Sequence, residues 1–183
     1  MSVEAYIDAL IAREGGYTNN PSDSGGETTC GITIGVARSF GYQGAMKDLS
    51  VAVATDIYLR RYWLVPRFDQ VQTIHSGIAE KLLDIGVNMG PATGVIWMQR
   101  ALNVLNKEGK SWPDLRPDGG IGPMTLYAMR TFLVDRGKDG GRVLLHMIGA
   151  QQSVRYIELA ETDGSQETFE YGWQSTRAMF GVA

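Results

Sequence analysis

The chain has 183 residues, enough to bury one good core and a small second lobe, and 44% of them are hydrophobic against 20% charged, a globular balance. A formal net charge of −3 offers no basic footprint for nucleic acid, and no apolar run approaches the roughly 20 residues that span a bilayer. One cysteine excludes an internal disulfide framework, and with two histidines it makes a poor stock of metal ligands, which argues against a zinc-dependent amidase or peptidase.

Met1 to Asp8 has neither a basic n-region nor an apolar h-region, so no secretory signal is expected and the protein should accumulate in the cytoplasm where it is made. Val3, Tyr6, Ile7, Leu10 and Ile11 repeat at helical spacing, which predicts an amphipathic helix over 3–14 with Ser2 as its N-cap. Gly15 and Gly16 stop it and leave Glu14 in its last turn. Residues 17–35 read as a loop with short strands: Asn19-Asn20-Pro21-Ser22 turns the chain, and Cys30-Gly31-Ile32-Thr33-Ile34 can extend. Beyond Ser50 the pattern is helical, over 50–64, 74–88, 92–107, 123–136, 141–161 and 165–179. Pro66 stops the first of these, and Pro91 and Pro123 suit a helix's first turn, where a missing N–H costs nothing. The fold class is therefore mainly α, a helical body with a small β-hairpin corner carrying Glu14 and Asp23. A seam near Gly90-Pro91 divides the chain into 1–91 and 92–183, two parts expected to pack together.

Eight residues separate Glu14 from Asp23, and five more separate Asp23 from Thr29. A carboxylic acid, a second carboxylate and a hydroxyl carried across a Gly/Pro/Ser/Asp-rich turn form the working set of a glycan-cleaving enzyme. One carboxyl donates a proton to the glycosidic oxygen; the other activates water or stabilises an oxocarbenium-like transition state. The C-terminal end of a helix carries partial negative charge, which disfavours a carboxylate there and suits Glu14 to the acid role. By itself, Glu14 before Gly-Gly reads equally as a solvated helix-end residue, and Asp23 as a turn residue. Thr28 competes with Thr29 for the supporting hydroxyl.

Glu14-Gly15-Gly16-Tyr17, the Asn20 to Thr28 turn and Gly31-Ile32-Thr33 resemble glycoside hydrolase family 108, the N-acetylmuramidases found chiefly as bacteriophage and prophage endolysins. The family's usual Asn-Tyr before Gly-Ile-Thr is Thr29-Cys30 here, which leaves the hydroxyl assignment open and spares both carboxylates. The resemblance implies a lysozyme-like (α+β) fold, Glu14 as proton donor, peptidoglycan glycan strands as substrate, no cofactor, and release to the wall by a holin. A monomer is expected.

Asp84-Ile85-Gly86-Val87-Asn88-Met89-Gly90-Pro91 and Asp118-Gly119-Gly120-Ile121-Gly122-Pro123-Met124-Thr125 resemble the join and the peptidoglycan-binding region that follows this catalytic domain. An EF-hand reading of the second stretch fails because its twelfth position is Met129, not Glu. Tyr17, Thr28, Asn88 and Asp118 are the candidate substrate-contacting residues of these motifs. Of the tryptophans, Trp97 fits a core position, whereas Trp112 beside Pro113 and Trp173 in Tyr171-Gly172-Trp173 are expected to be exposed for stacking on sugars. Trp63 is a further aromatic, and Met98, Met124, Met129 and Met147 read as core fillers. Three rivals stand beside hydrolysis: a lytic transglycosylase on the same bond, a cysteine amidase built on Cys30 and His75, and a non-catalytic peptidoglycan-binding module.

Overall fold

The computed structural model describes residues 3–14, 16–19 and 26–179, with the side chains of Arg13 and Glu14 outside that description. Ser2, the expected first cap, also lies outside it. By packing, the chain divides into two units, Met1–Val65 and Pro66–Ala183.

In the first unit, α1 (Val3–Glu14) buries Val3, Ile7 and Ile11, one stripe at four-residue spacing, and packs on α3 (Val51–Leu59). Ser50 caps α3: its hydroxyl accepts from the Val53 N–H at 3.3 Å. The rod continues through a wider π turn, Arg60–Leu64, closed by the Val65 N–H on the Arg60 carbonyl at 2.9 Å.

Between these helices, β1 (Thr28–Thr29) and β2 (Ile32–Thr33) form an antiparallel hairpin with Thr29 opposite Ile32. Cys30 and Gly31 make its two-residue turn, both at positive φ (52° and 72°), as the right-handed twist of the flanking strands requires. The expected extended run is thus corrected at both ends. Cys30-Gly31 bends, and Ile34 opens α2 (Ile34–Ser39), where the Thr33 hydroxyl accepts from the Val36 N–H at 3.4 Å.

Among its described residues the second unit has helices as its regular elements: α4 (Phe68–Gln72), α5 (Ser76–Met89), α6 (Pro91–Leu105), α7 (Pro123–Arg136), α8 (Lys138–Thr162) and α9 (Glu167–Trp173), with a loop over 106–122. A π turn, Gln174–Ala178, follows α9. Helix α8 runs 25 residues, about 37 Å at 1.5 Å per residue, and α5, α6 and α7 pack along it. One residue, Gly90, separates α5 from α6, and the two pack closely. A Cβ on Gly94 would meet Leu82 at 3.1 Å and Ile85 at 3.2 Å. Pro91 and Pro123 each open their helix, as their fixed φ and missing donor predict. Among the described residues, no helix is long and apolar enough to cross a membrane.

Candidate active site

Glu14 is the last residue of α1; its side chain lies outside the described residues, as do Gly15 and the whole of Asp23. What the structure gives is the frame around them. After α1 the chain returns to the hairpin: Thr18 and Thr28 exchange backbone hydrogen bonds of 2.8 and 2.9 Å. In sequence, this pair brackets the stretch that contains Asp23, and Thr18 follows Glu14 by four residues. Tyr17, beside the closing pair, is 43% exposed.

The two candidate threonines have different fates, because successive side chains on a strand point to opposite faces. Thr29 is 5% exposed, and its hydroxyl donates to the Met46 carbonyl at 2.7 Å. That bond ties the hairpin to the 3-10 turn Met46–Asp48 and occupies the Thr29 proton in the interior. Thr28 is half-buried, with a longer bond of 3.3 Å to the Gly26 carbonyl on its own side of the hairpin.

Cys30 and His75 hold structural posts. Cys30 is buried in the hairpin turn, and its carbonyl accepts from the Tyr58 hydroxyl at 3.0 Å. His75 caps α5, its Nδ1 accepting from the Ile78 N–H at 3.2 Å. Its other ring edge fills the space where a Cβ on Gly141 would stand, 2.2 Å from Nε2. The ring is thus engaged at both edges within the second unit.

In the second unit, Asn88 is exposed near the end of α5, with its amide turned back to the Asp84 carbonyl at 2.6 Å. Asp118 accepts from the Gly120 N–H at 2.9 Å and from Gln99 Nε2 at 3.2 Å, bonds that hold its carboxyl below the usual carboxylate range. Trp112 corrects an expectation: it is only 3% exposed, edge-on to Phe132 at 6.3 Å, so it is no platform for a sugar. Trp173 is half-buried and stacked with Tyr156 (4.9 Å) and Phe169 (5.7 Å), while Tyr171 stands 85% exposed on the same helix. Trp63, Trp97, Met98 and Met129 are buried; Met124 is exposed, against expectation.

An open depression of about 570 Å³, lined by Asn103, Asn106, Glu108 and Asp114 among others, was not foreseen from the sequence. Its amides are spent on the loop itself. Asn103 exchanges bonds with the Leu115 backbone, and Asn106 holds Asp114 and the Gly109 N–H.

Residues 7–90 match the family model described as Glycosyl hydrolase 108, and residues 93–178 match that of a Predicted Peptidoglycan domain. Residues 7–90 are thus a glycosyl hydrolase family 108 stretch. Among solved structures it is similar to that titled "Structure of Brucella abortus SagA", at 27% identity and a TM-score of 0.58. The likeness covers 93% of this chain and 86% of that one. Comparison with curated proteins finds no match. The chain is thus a glycoside hydrolase that acts on peptidoglycan, and its hydrolase stretch takes in α1 beyond its first turn, the hairpin, and α2 to α5.

Proposed function

We propose that the protein is an N-acetylmuramidase that hydrolyses the β-1,4 bond between N-acetylmuramic acid and N-acetylglucosamine, with Glu14 as general acid. The observation that supports this reading is that Glu14 ends α1 and that Thr18, four residues on, pairs with Thr28, so that the paired residues bracket in sequence the segment holding Asp23. Glu14 protonates the leaving oxygen from a helix end whose partial negative charge favours the neutral acid. Asp23 activates the attacking water or stabilises the oxocarbenium-like transition state. Thr28, its hydroxyl not drawn into the interior, is the better partner for that water than Thr29. Residues 1–91 form the catalytic part, and 92–183 contact the glycan, with Tyr171 and Trp173 offering the aromatic surface and Asn88 and Asp118 polar edges.

Glu14→Gln keeps size and hydrogen bonding but removes the transferable proton. It should fold normally and lose roughly 10²–10⁴-fold in turnover on purified sacculi. Mass spectrometry of wild-type products should show new reducing ends on N-acetylmuramic acid. Anhydro-muramic ends would make the enzyme a lytic transglycosylase, whereas reducing N-acetylglucosamine or freed stem peptides would end the muramidase reading. Sacculus binding without products would leave only a binding module.

The resemblance to endolysins supports a role in host lysis after a phage infection, with a holin admitting the enzyme to the wall. Similarity to a protein of Brucella abortus favours a second reading, remodelling of a bacterium's own wall. Expression in a Gram-negative host distinguishes them: lysis triggered only on co-expression of a holin supports the endolysin role, and holin-independent wall turnover supports remodelling.

A further inference from the structure

Helix α5 buries two charged side chains, Lys81 and Asp84, both inside the stretch matched to the hydrolase family. Several of their partners come from the other matched stretch, near its end. The Lys81 ammonium donates to the carbonyls of Arg177 (2.5 Å) and Ala178 (3.1 Å) in the final π turn. Arg177 in turn donates to Asp84 Oδ1 at 2.7 Å, and Gln152 on α8 reaches Asp84 Oδ2 at 3.5 Å. A helix end leaves its last carbonyls without helical donors and gathers partial negative charge, so an ammonium matches it well.

Charges sealed among Ile78, Leu82 and Ile85 without partners would be prohibitive, and α5 could not bury this face alone. Packing agrees: α4 and α5 fall in one unit with α6 to α9, although the family models divide between residues 90 and 93. A binding module hung on a finished enzyme would meet it through a linker and satisfy its own charges. Here only Pro91 and Ala92, already in the first turn of α6, lie between the two stretches, and Arg177 supplies a charge partner to Asp84 on the other side of that join.

We propose that the segment Gln174–Ala178 is a strap that completes the last helix of the hydrolase stretch, so that the peptidoglycan stretch has a fold-completing role in addition to any contact with the wall. The strap acts through Arg177 on Asp84 and through its end carbonyls on Lys81. These residues hold structure in place; none of them touches the reacting bond in this reading.

The test uses full-length variants and two readouts, thermal unfolding and turnover of a short soluble peptidoglycan fragment, for which anchoring to an insoluble wall is irrelevant. Asp84→Asn and Arg177→Ala should each lower the unfolding midpoint by roughly 5–15 °C, as breaking a buried pair in a chain of this size does. Near the lowered midpoint, soluble-fragment turnover should fall in step with the fraction unfolded. The double variant should lose less than the sum of the two. Tyr171→Ala, on the exposed side of α9, should melt like the parent. If Arg177→Ala yields no folded protein, Arg177→Lys, which keeps a cation without the planar fork, should show a smaller drop. Asp84 and Arg177 variants that melt like the parent, with any loss confined to sacculus binding, would overturn the strap and leave a wall-binding appendage. Melting needs no catalysis, so an inactive wild type would end the muramidase reading and leave this one standing.

Discussion

Thr28 and Thr29 are chemically identical neighbours, and a strand's alternation sends them to opposite faces. The inward one, Thr29, donates to the Met46 carbonyl at 2.7 Å. Thr29→Val keeps the shape and removes that buried hydrogen bond, leaving the Met46 carbonyl its bond from the Leu49 N–H at 3.1 Å, a loss of about 1 kcal/mol of stability. Turnover per folded molecule should persist. Thr28→Val should melt close to the parent and lose roughly tenfold in turnover, about one hydrogen bond's worth of transition-state stabilisation. Kinetics and thermal melts of the two variants check the pair, and a Thr29→Val enzyme that melts normally but fails to turn over would reverse the assignment. Cys30 shows the same dependence on local geometry. The sequence reads Cys30 as part of an extended run; its φ of 52° in the hairpin turn was not legible there, because glycine or asparagine is the ordinary occupant of that conformation.

Among the elements, the motif Asp118-Gly119-Gly120 is explained by the helix beneath it. Gln99, buried on α6, accepts from the Gly119 N–H at 3.1 Å and donates to the Gly120 carbonyl at 2.9 Å. Gly119 lies at φ 78°, and an added Cβ would stand 2.7 Å from that of Ala92. Gly119→Ala therefore combines a left-handed backbone with a clash against α6, and should cost on the order of 2–4 kcal/mol. Denaturant unfolding checks this; a loss under about 0.5 kcal/mol, the scale of an ordinary surface change, would mean that the turn relaxes freely. Helix ends followed the sequence well where proline fixed them: α7 occupies Pro123–Arg136, the predicted span. The short helices α2 and α4 were missed. Each offers only five or six residues, too few for a periodic signal, and α4 follows Arg67, a non-glycine residue at φ 63° that no turn motif announces.

On the scale of the whole molecule, the buried charges on α5 set how stability depends on pH. Burial lowers the Lys81 ammonium from 10.5 to about 8, with Asp84 pulling the other way. Below about pH 8 the folded and unfolded chains both carry this proton, and the folded state bears the burden of a buried charge in full. Between about 8 and 10 the unfolded chain keeps a proton that the folded chain has released, so stability rises with pH. Tyr156 then opposes the trend. Burial raises its hydroxyl above the ordinary 10.0, so beyond that point the unfolded chain loses the proton first and stability falls. Among the described residues, Asp84, Arg177 and Glu170 are charged groups around this cluster. The unfolding midpoint should therefore climb by several degrees from pH 7.5 to 9.5, and Lys81→Met should flatten the climb. A profile equally steep in Lys81→Met would assign the effect to other groups.

From the sequence alone came the helical class, most long helices and the kinship of the first half to a hydrolase family. Each depends on patterns that repeat locally: apolar spacing at 3.6 residues, prolines at helix starts, and a motif whose glycines and acids lie within twenty residues of one another. Only the tertiary structure decided which threonine points inward, since strand register follows from the pairing of Thr28 with both Thr18 and Thr33. It also buried Trp112 against Phe132, a partner twenty residues away with no local cue. The bond between Arg177 and Asp84 lies further still beyond reach of local pattern. A charge in the sequence reads as a solvated one until the fold brings a distant carboxylate to it and takes the water away.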